Sequence, residues 1–269
     1  MYGTQLPVVD LYHALLEYDG DDAYSDILEP WPDRNPDELH WVADFDKRTN
    51  TDWSAATDED VCRLYSLFRV TSILLLRFQS GRADGTDYQG PNIEAVGLQL
   101  FFERLGFLVP DTSEYHPFFH EVVSVTQTEQ SEAPVQIVNT NWPCFMLGDM
   151  VFCRGGVSVS AGKSHIVKEI AESSMLYWTY RRKDRPYNDQ SHGWGHNSQW
   201  RTALRRDYRT ADRYYFNVGG RESLNDPKVT VDDVSVSAMI ELVRNRCMVH
   251  TQIDDSDLYP YPYTYVEDA

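Results

Sequence analysis

The chain has 269 residues with 42 acidic and 24 basic side chains, a formal net charge of −18, and it is 42% hydrophobic and 13% aromatic. That composition excludes a disordered acidic chain and describes a folded protein. A field of this sign repels polyanions and anionic bilayers, so duplex DNA and membrane surfaces are not expected partners, whereas a basic protein is.

The opening MYGTQLPVVD has neither a basic n-region nor an apolar h-region, which predicts no signal peptide and a cytoplasmic location. Acid is concentrated at the start, with 16 acids and three bases in residues 1–60. Leu11, Leu15 and Leu16 suit one or two helical turns, and residues 19–36 read as loop. Asp19, Gly20, Asp21 and Asp22 lack the remaining ligands of a calcium loop and read as a solvated acidic turn. Trp31, Trp41, Trp53 and Trp142 lie in polar stretches and are expected to cap the core with their N–H near water.

Thr57 followed by Asp58, Glu59 and Asp60 is a helix start, because a hydroxyl cap and first-turn acids satisfy orphan amides and the macrodipole. The helix is predicted to run to about residue 79, with Gly81 as its stop. Val61, Leu64, Leu67, Phe68 and the run 73–76 cover most of its circumference, which marks it as the central helix. Arg69 and Arg77 bracket that apolar run, which is far too short to span a bilayer. A second helix is predicted at 92–105, ended by Gly106.

From His120 the period changes to two. Val123 with Val125, and Val135 with Ile137, predict strands; 151–159, interrupted by Gly155 and Gly156, predicts a hairpin. Aromatic-rich strands are expected at 175–180 and 214–218, and a helix at 237–247. The tail YPYPYTYVEDA is too proline-rich for either. The whole predicts a single-domain α+β fold with N-terminal helices packed on a mostly antiparallel sheet. It divides into an acidic, aromatic-rich segment at 1–56, a globular body at 57–253 and a Pro/Tyr acidic tail at 254–269.

Cys62, Cys144, Cys153 and Cys247 form no C-x-x-C pair and read as reduced core residues. The H-x-x-x-H-E of His116, His120 and Glu121 has ligand-like composition, yet Pro117 pushes His116 out of helical geometry. No metal and no cofactor is implied.

Against this acidic background, residues 178–213 hold nine Lys and Arg with four acids. Gly193 and Gly195 flank Trp194, and Asn197 or Ser198 is a plausible cap for a helix reaching about residue 210. On that helix Arg201, Arg205 and Arg209 form one stripe and Trp200, Leu204 and Tyr208 an inward one. A glycine loop feeding an arginine-bearing helix suits a phosphate or carboxylate, with Trp194, Asn197, Arg201, Arg205 and Arg209 as its ligand-binding set. His192 and His196 are the candidates for moving a proton, with Asp207 as orienting carboxylate. The opposing reading is that these arginines neutralise the acidic ends of the same molecule.

Two functions follow from these residues. One is an interaction protein, inhibitor-like or immunity-like, whose acidic N-terminal region binds a basic partner. The alternative is an enzyme or small-anion binder built on 192–209.

Overall fold

Four helices of the N-terminal half begin where the sequence supplies a start signal. The computed structural model describes residues 6–50, 52–82, 88–189, 200, 202–253 and 258–269. Proline in the first turn, where its missing N–H is no loss, opens α1 (Pro7–Leu16), α2 (Trp31–Arg34) and α3 (Pro36–Thr49). At the head of α4 (Asp58–Leu75) the capping box is present in both directions: Asp60 N donates to Thr57 Oγ1 at 3.2 Å and Thr57 N to Asp60 Oδ2 at 2.9 Å. Fourteen of the 18 residues of α4 are buried, so it is the central helix. Its polar residues Ser66 and Thr71 return their hydroxyls to the carbonyls of Cys62 and Leu67.

Helix α5 (Ala95–Arg104) ends in a Schellman arrangement. Gly106 sits at φ 92°, while Phe107 N reaches Phe102 O and Gly106 N reaches Glu103 O, both at 2.9 Å. Residues 19–36, expected as loop, instead contain a π-helical turn, Tyr24–Leu28, and α2. Ala23 and Leu28 are fully buried there, so the core pulls the chain into compact turns. No helix among the described residues is long and apolar enough to cross a membrane.

The remainder builds β1 (His120–Gln127), β2 (Gln136–Trp142), β3 (Phe145–Leu147), β4 (Met150–Cys153), β5 (Gly155–Ala161), α6 (Lys168–Ser173), β6 (Leu176–Tyr177), β7 (Tyr187–Asn188), β8 (Asp207–Arg209), β9 (Arg213–Phe216), β10 (Glu222–Ser223), α7 (Val236–Asn245) and β11 (Tyr263–Asp268). One sheet has the order β1-β5-β2, with β1 parallel and β2 antiparallel to β5. A second has the order β10-β11-β9-β8-β4-β3 and is antiparallel except at β10 and β11. Strands β6 and β7 form a parallel pair. The architecture is α+β, helices first and sheets later.

Three apolar clusters hold these layers. The helical cluster joins Leu15, Phe45, Leu64 and Phe68 to Phe145 and Phe152 of the second sheet, with Phe102 stacked on Phe145 at 4.3 Å. A second cluster packs Met239, Leu242 and Val243 of α7 on Phe216 and Tyr263, and a third sets Ala171 of α6 and Cys247 against Val122, Val157 and Val159. Each fully buried Leu or Phe contributes roughly 1.5–3 kcal/mol relative to exposure. Cys144, Cys153 and Cys247 are buried free thiols, and Cys62 is half-buried.

Three expected elements are corrected. Residues 151–159 form no hairpin, because β4 and β5 part at Arg154 into different sheets. The two glycines are there for close approach rather than for a turn. A Cβ on Gly156 would lie 2.4 Å from the ring of Trp142, and one on Gly155 2.9 Å from Cys144 N. The expected helix at 197–210 is absent over its described part, since 202–206 is irregular and Asp207–Arg209 is strand. The tail is not irregular either: past Pro260 and Pro262 it becomes β11, between β10 and β9.

Candidate functional site

Of the residues predicted to form a site, His192, Trp194, His196, Asn197 and Arg201 lie outside the described residues. Arg205, Asp207 and Arg209 are described, and they do not form a stripe. Arg205 and Asp207 turn into the interior, at 5% and 0% exposure, whereas Arg209 is half-buried with its guanidinium 5.5 Å from the Phe119 ring. The spacing of Trp200, Leu204 and Tyr208 suited a helix. Tyr208 is instead held in a ladder between Met150 and Tyr215, and Trp53 stacks on it at 4.7 Å.

Asp207 is the centre of a buried ionic cluster. Its Oδ1 accepts from Arg205 Nε at 2.7 Å and from Asn217 N at 2.7 Å; its Oδ2 accepts from Arg246 Nη2 at 3.0 Å and Arg154 Nη2 at 3.2 Å. Burial alone would raise the pKa of this carboxyl, but Arg205, Arg246 and Arg154 outweigh it and hold the group far below the usual carboxylate range. Among the described residues, three guanidiniums and one backbone amide therefore occupy both oxygens. Arg205 is committed further, with Nη2 on Val243 O at 2.5 Å and its guanidinium 4.1 Å from the Trp178 ring.

The same cluster caps α7. The last carbonyls of a helix lack intrahelical donors and carry the negative end of its dipole. Here Arg205 serves Val243 O, and Arg154 Nη2 serves Arg244 O at 3.0 Å. Arg246 ends the helix in the left-handed region, at φ 66°.

Other cations of 178–213 also face the chain. Arg182 makes a bidentate pair with Glu121, at 2.7 and 2.9 Å, with both side chains buried. Arg185 donates to Ser174 O and Val122 O, Arg206 to Trp53 O, and Lys183 to Gln79 O and Gln89 Oε1. Arg213 stays outside, 3.8 Å from Asp268.

At the borders of residues 190–199 the structure brings together groups that were not singled out in the sequence. Arg69 of α4 lies under the rings of Trp200 at 4.0 Å, Tyr180 at 4.1 Å and Tyr12 at 5.0 Å, and donates to Tyr180 Oη at 2.7 Å. Tyr65 donates to buried Asp189. The signal for Arg69 was present, an arginine flanked by Phe68 and Val70 in the apolar stretch of the central helix.

The H-x-x-x-H-E residues serve the fold. His120 Nδ1 lies 3.0 Å from His116 O and its Nε2 3.1 Å from Thr112 Oγ1, and burial pushes its pKa down to about 4. His116 faces Glu267 at 3.4 Å, and Glu121 belongs to Arg182. Among the described residues, no group of three or more His, Cys, Asp or Glu side chains is arranged to hold a metal ion.

The acidic N-terminal region is the second candidate. Thirteen of its 16 acids are exposed; Asp46 is half-buried, while Glu38 and Asp60 are buried. Glu38 is paired with Arg63, and Asp60 with Arg48, Trp41 and Thr57. Arg104 reaches Asp33 and Arg48 reaches Asp44. Beside this face, Val96 and Leu100, one turn apart on α5, and Leu108 expose large apolar side chains. Helix α5 packs against the π-helical turn, where a Cβ on Gly97 would lie 2.8 Å from Tyr24 Cβ.

No protein-family model, curated protein or solved structure matches this chain.

Proposed function

We propose that this is an interaction protein, inhibitor-like or immunity-like, which binds a basic protein partner through the acidic face of its N-terminal helical half. The observation that carries the reading is the exposure of 13 of the 16 acids in residues 1–60, against three bases in the same region. Among the described cations that were candidates to neutralise that face, Arg205 and Arg182 pair instead with Asp207 and Glu121. The net negative field steers a basic partner into encounter and suppresses acidic competitors. Val96, Leu100 and Leu108 supply apolar contact area beside the acids of the turn that α5 packs on.

The test removes charge without touching the fold. Asp19, Asp21 and Glu29 are exposed, and their carboxylates accept no hydrogen bond from a described residue. The Asp19→Asn, Asp21→Asn, Glu29→Gln triple variant is expected to keep the wild-type melting temperature. It should also lose about tenfold or more in affinity for whichever basic proteins the wild type retains at low salt, and that retention should fall steeply as ionic strength rises. A variant that retains the same proteins to the same salt concentration removes the proposal.

A further inference from the structure

The three guanidiniums around Asp207 outnumber their carboxylate. Arg154, Arg205 and Arg246 are all buried, at 2%, 5% and 6% exposure, and Asp207 is at 0%. Arginine does not give up its proton in proteins, so the cluster carries two positive charges in excess. The C-terminus of α7 offsets about half a charge. Glu121 also favours the charged form of Arg154, but Arg182 holds both of its oxygens and balances its charge, so the excess around Asp207 remains.

Donors are in excess as well. Arg154 Nε and Nη1, Arg205 Nη1 and Arg246 Nε are buried and meet no acceptor among the described residues. Leaving one buried donor unsatisfied costs about 1–3 kcal/mol, and a charged one costs more. The guanidiniums are also close enough to disfavour one another's charge. Burial first, and then the neighbouring arginines, push Arg205 down to about 9 and Arg154 to about 10 against the pull of Asp207.

We infer that this cluster binds a small inorganic anion of halide size, with chloride as the physiological member of the class. Two excess charges and four unmatched donor nitrogens on the three guanidiniums that share buried Asp207 call for an acceptor that carries negative charge. Close packing of the interior favours a monatomic ion over a larger oxyanion. The ion ties together three parts of the chain: Arg154 at the parting of the two sheets, Arg205 before β8, and Arg246 at the end of α7. It acts as a keystone for the body of the fold and is independent of the acidic face.

The inference is tested by thermal unfolding of the full chain in sodium chloride, sodium bromide and sodium gluconate at one ionic strength. A ligand that prefers the folded state raises the midpoint. Chloride and bromide are expected to raise Tm by about 5 °C or more over gluconate, in a saturable manner. Crystals soaked in bromide should show an anomalous peak within hydrogen-bond distance of these guanidiniums. Arg154→Gln, where it folds, should lose most of the halide increment. Equal midpoints in chloride and gluconate overturn the inference, as do bromide peaks confined to the surface.

Discussion

Replacing Asp207 by asparagine removes one charge and almost no volume, so it isolates the electrostatics of the buried cluster. In the wild type the carboxylate accepts four hydrogen bonds, at 2.7, 2.7, 3.0 and 3.2 Å, three of them from arginine. In the variant the amide oxygen serves at most two donors, and the amide nitrogen faces the other two. Two orphaned donors at about 1–3 kcal/mol each give roughly 2–6 kcal/mol. Breaking a buried ion pair by removing one partner gives about 3–5 kcal/mol. These describe one effect from two sides, so the expected loss is about 4 kcal/mol. In urea unfolding that loss appears as a lower midpoint at unchanged m-value, and in thermal unfolding as a fall of roughly 8–15 °C. Asp268→Asn is the internal control, since its pair with Arg213 spans 3.8 Å at the surface; a change within about 0.5 kcal/mol is expected there. Because the pKa of Asp207 is lowered in the folded state, its stabilisation is present above about pH 4, where the unfolded carboxyl is ionised, and is lost as pH falls below that. A loss under about 1 kcal/mol for Asp207→Asn refutes the view of this cluster as a buried structural centre.

Gly156→Ala places a Cβ 2.4 Å from the ring of fully buried Trp142, and the overpacking is expected to cost about 1–3 kcal/mol in chemical unfolding; a neutral result means that the ring has room to move. Burial holds His120 at about 4, so the folded state declines a proton that the unfolded chain takes near pH 6.5. Stability therefore falls as pH drops from about 6.5 towards 4, and a His120→Gln variant should show a shallower fall; identical pH profiles of Tm contradict this. Thr57→Ala removes the cap of the central helix and should cost about 1 kcal/mol. Asp60 is lowered to about 2, because its bonds to Arg48, Thr57 and Trp41 outweigh burial. Its contribution is present above about pH 4 and disappears towards pH 2, so the wild type's advantage over Thr57→Ala should shrink over that window.

Local signals were legible where a residue's effect is spent within its own turn. The box of Thr57 and Asp60, the stop at Gly106 and the apolar circumference of 61–76 each predicted an element that the structure contains. So did the alternation from His120 and the helix near 237–247. The misreadings share a cause. Trp200, Leu204 and Tyr208 have helical spacing, but 202–206 is irregular and the ladder of Tyr208 with Met150 and Tyr215 draws 207–209 into a strand. Gly155 and Gly156 carry a turn signature, yet what they accommodate is Trp142 and the backbone at Cys144. Pro260 and Pro262 stop regular structure only up to Tyr263, after which β10 and β9 supply partners on both sides.

For the candidate sites, the sequence by itself determined the charge budget and its uneven placement: an acidic first 60 residues and a cationic stretch at 178–213. Only the tertiary structure decided which of those charges face outward. Thirteen N-terminal acids stay in water, because helices that bury one face leave the other solvated. The described arginines Arg182 and Arg205 go inside, where Glu121 and Asp207 meet them from segments 61 and two residues away, joined at Asp207 by Arg154 and Arg246. At both places the buried guanidiniums converge on a carboxylate that offsets their desolvation. That convergence comes from the way two sheets and the end of α7 meet, which no window along the chain contains.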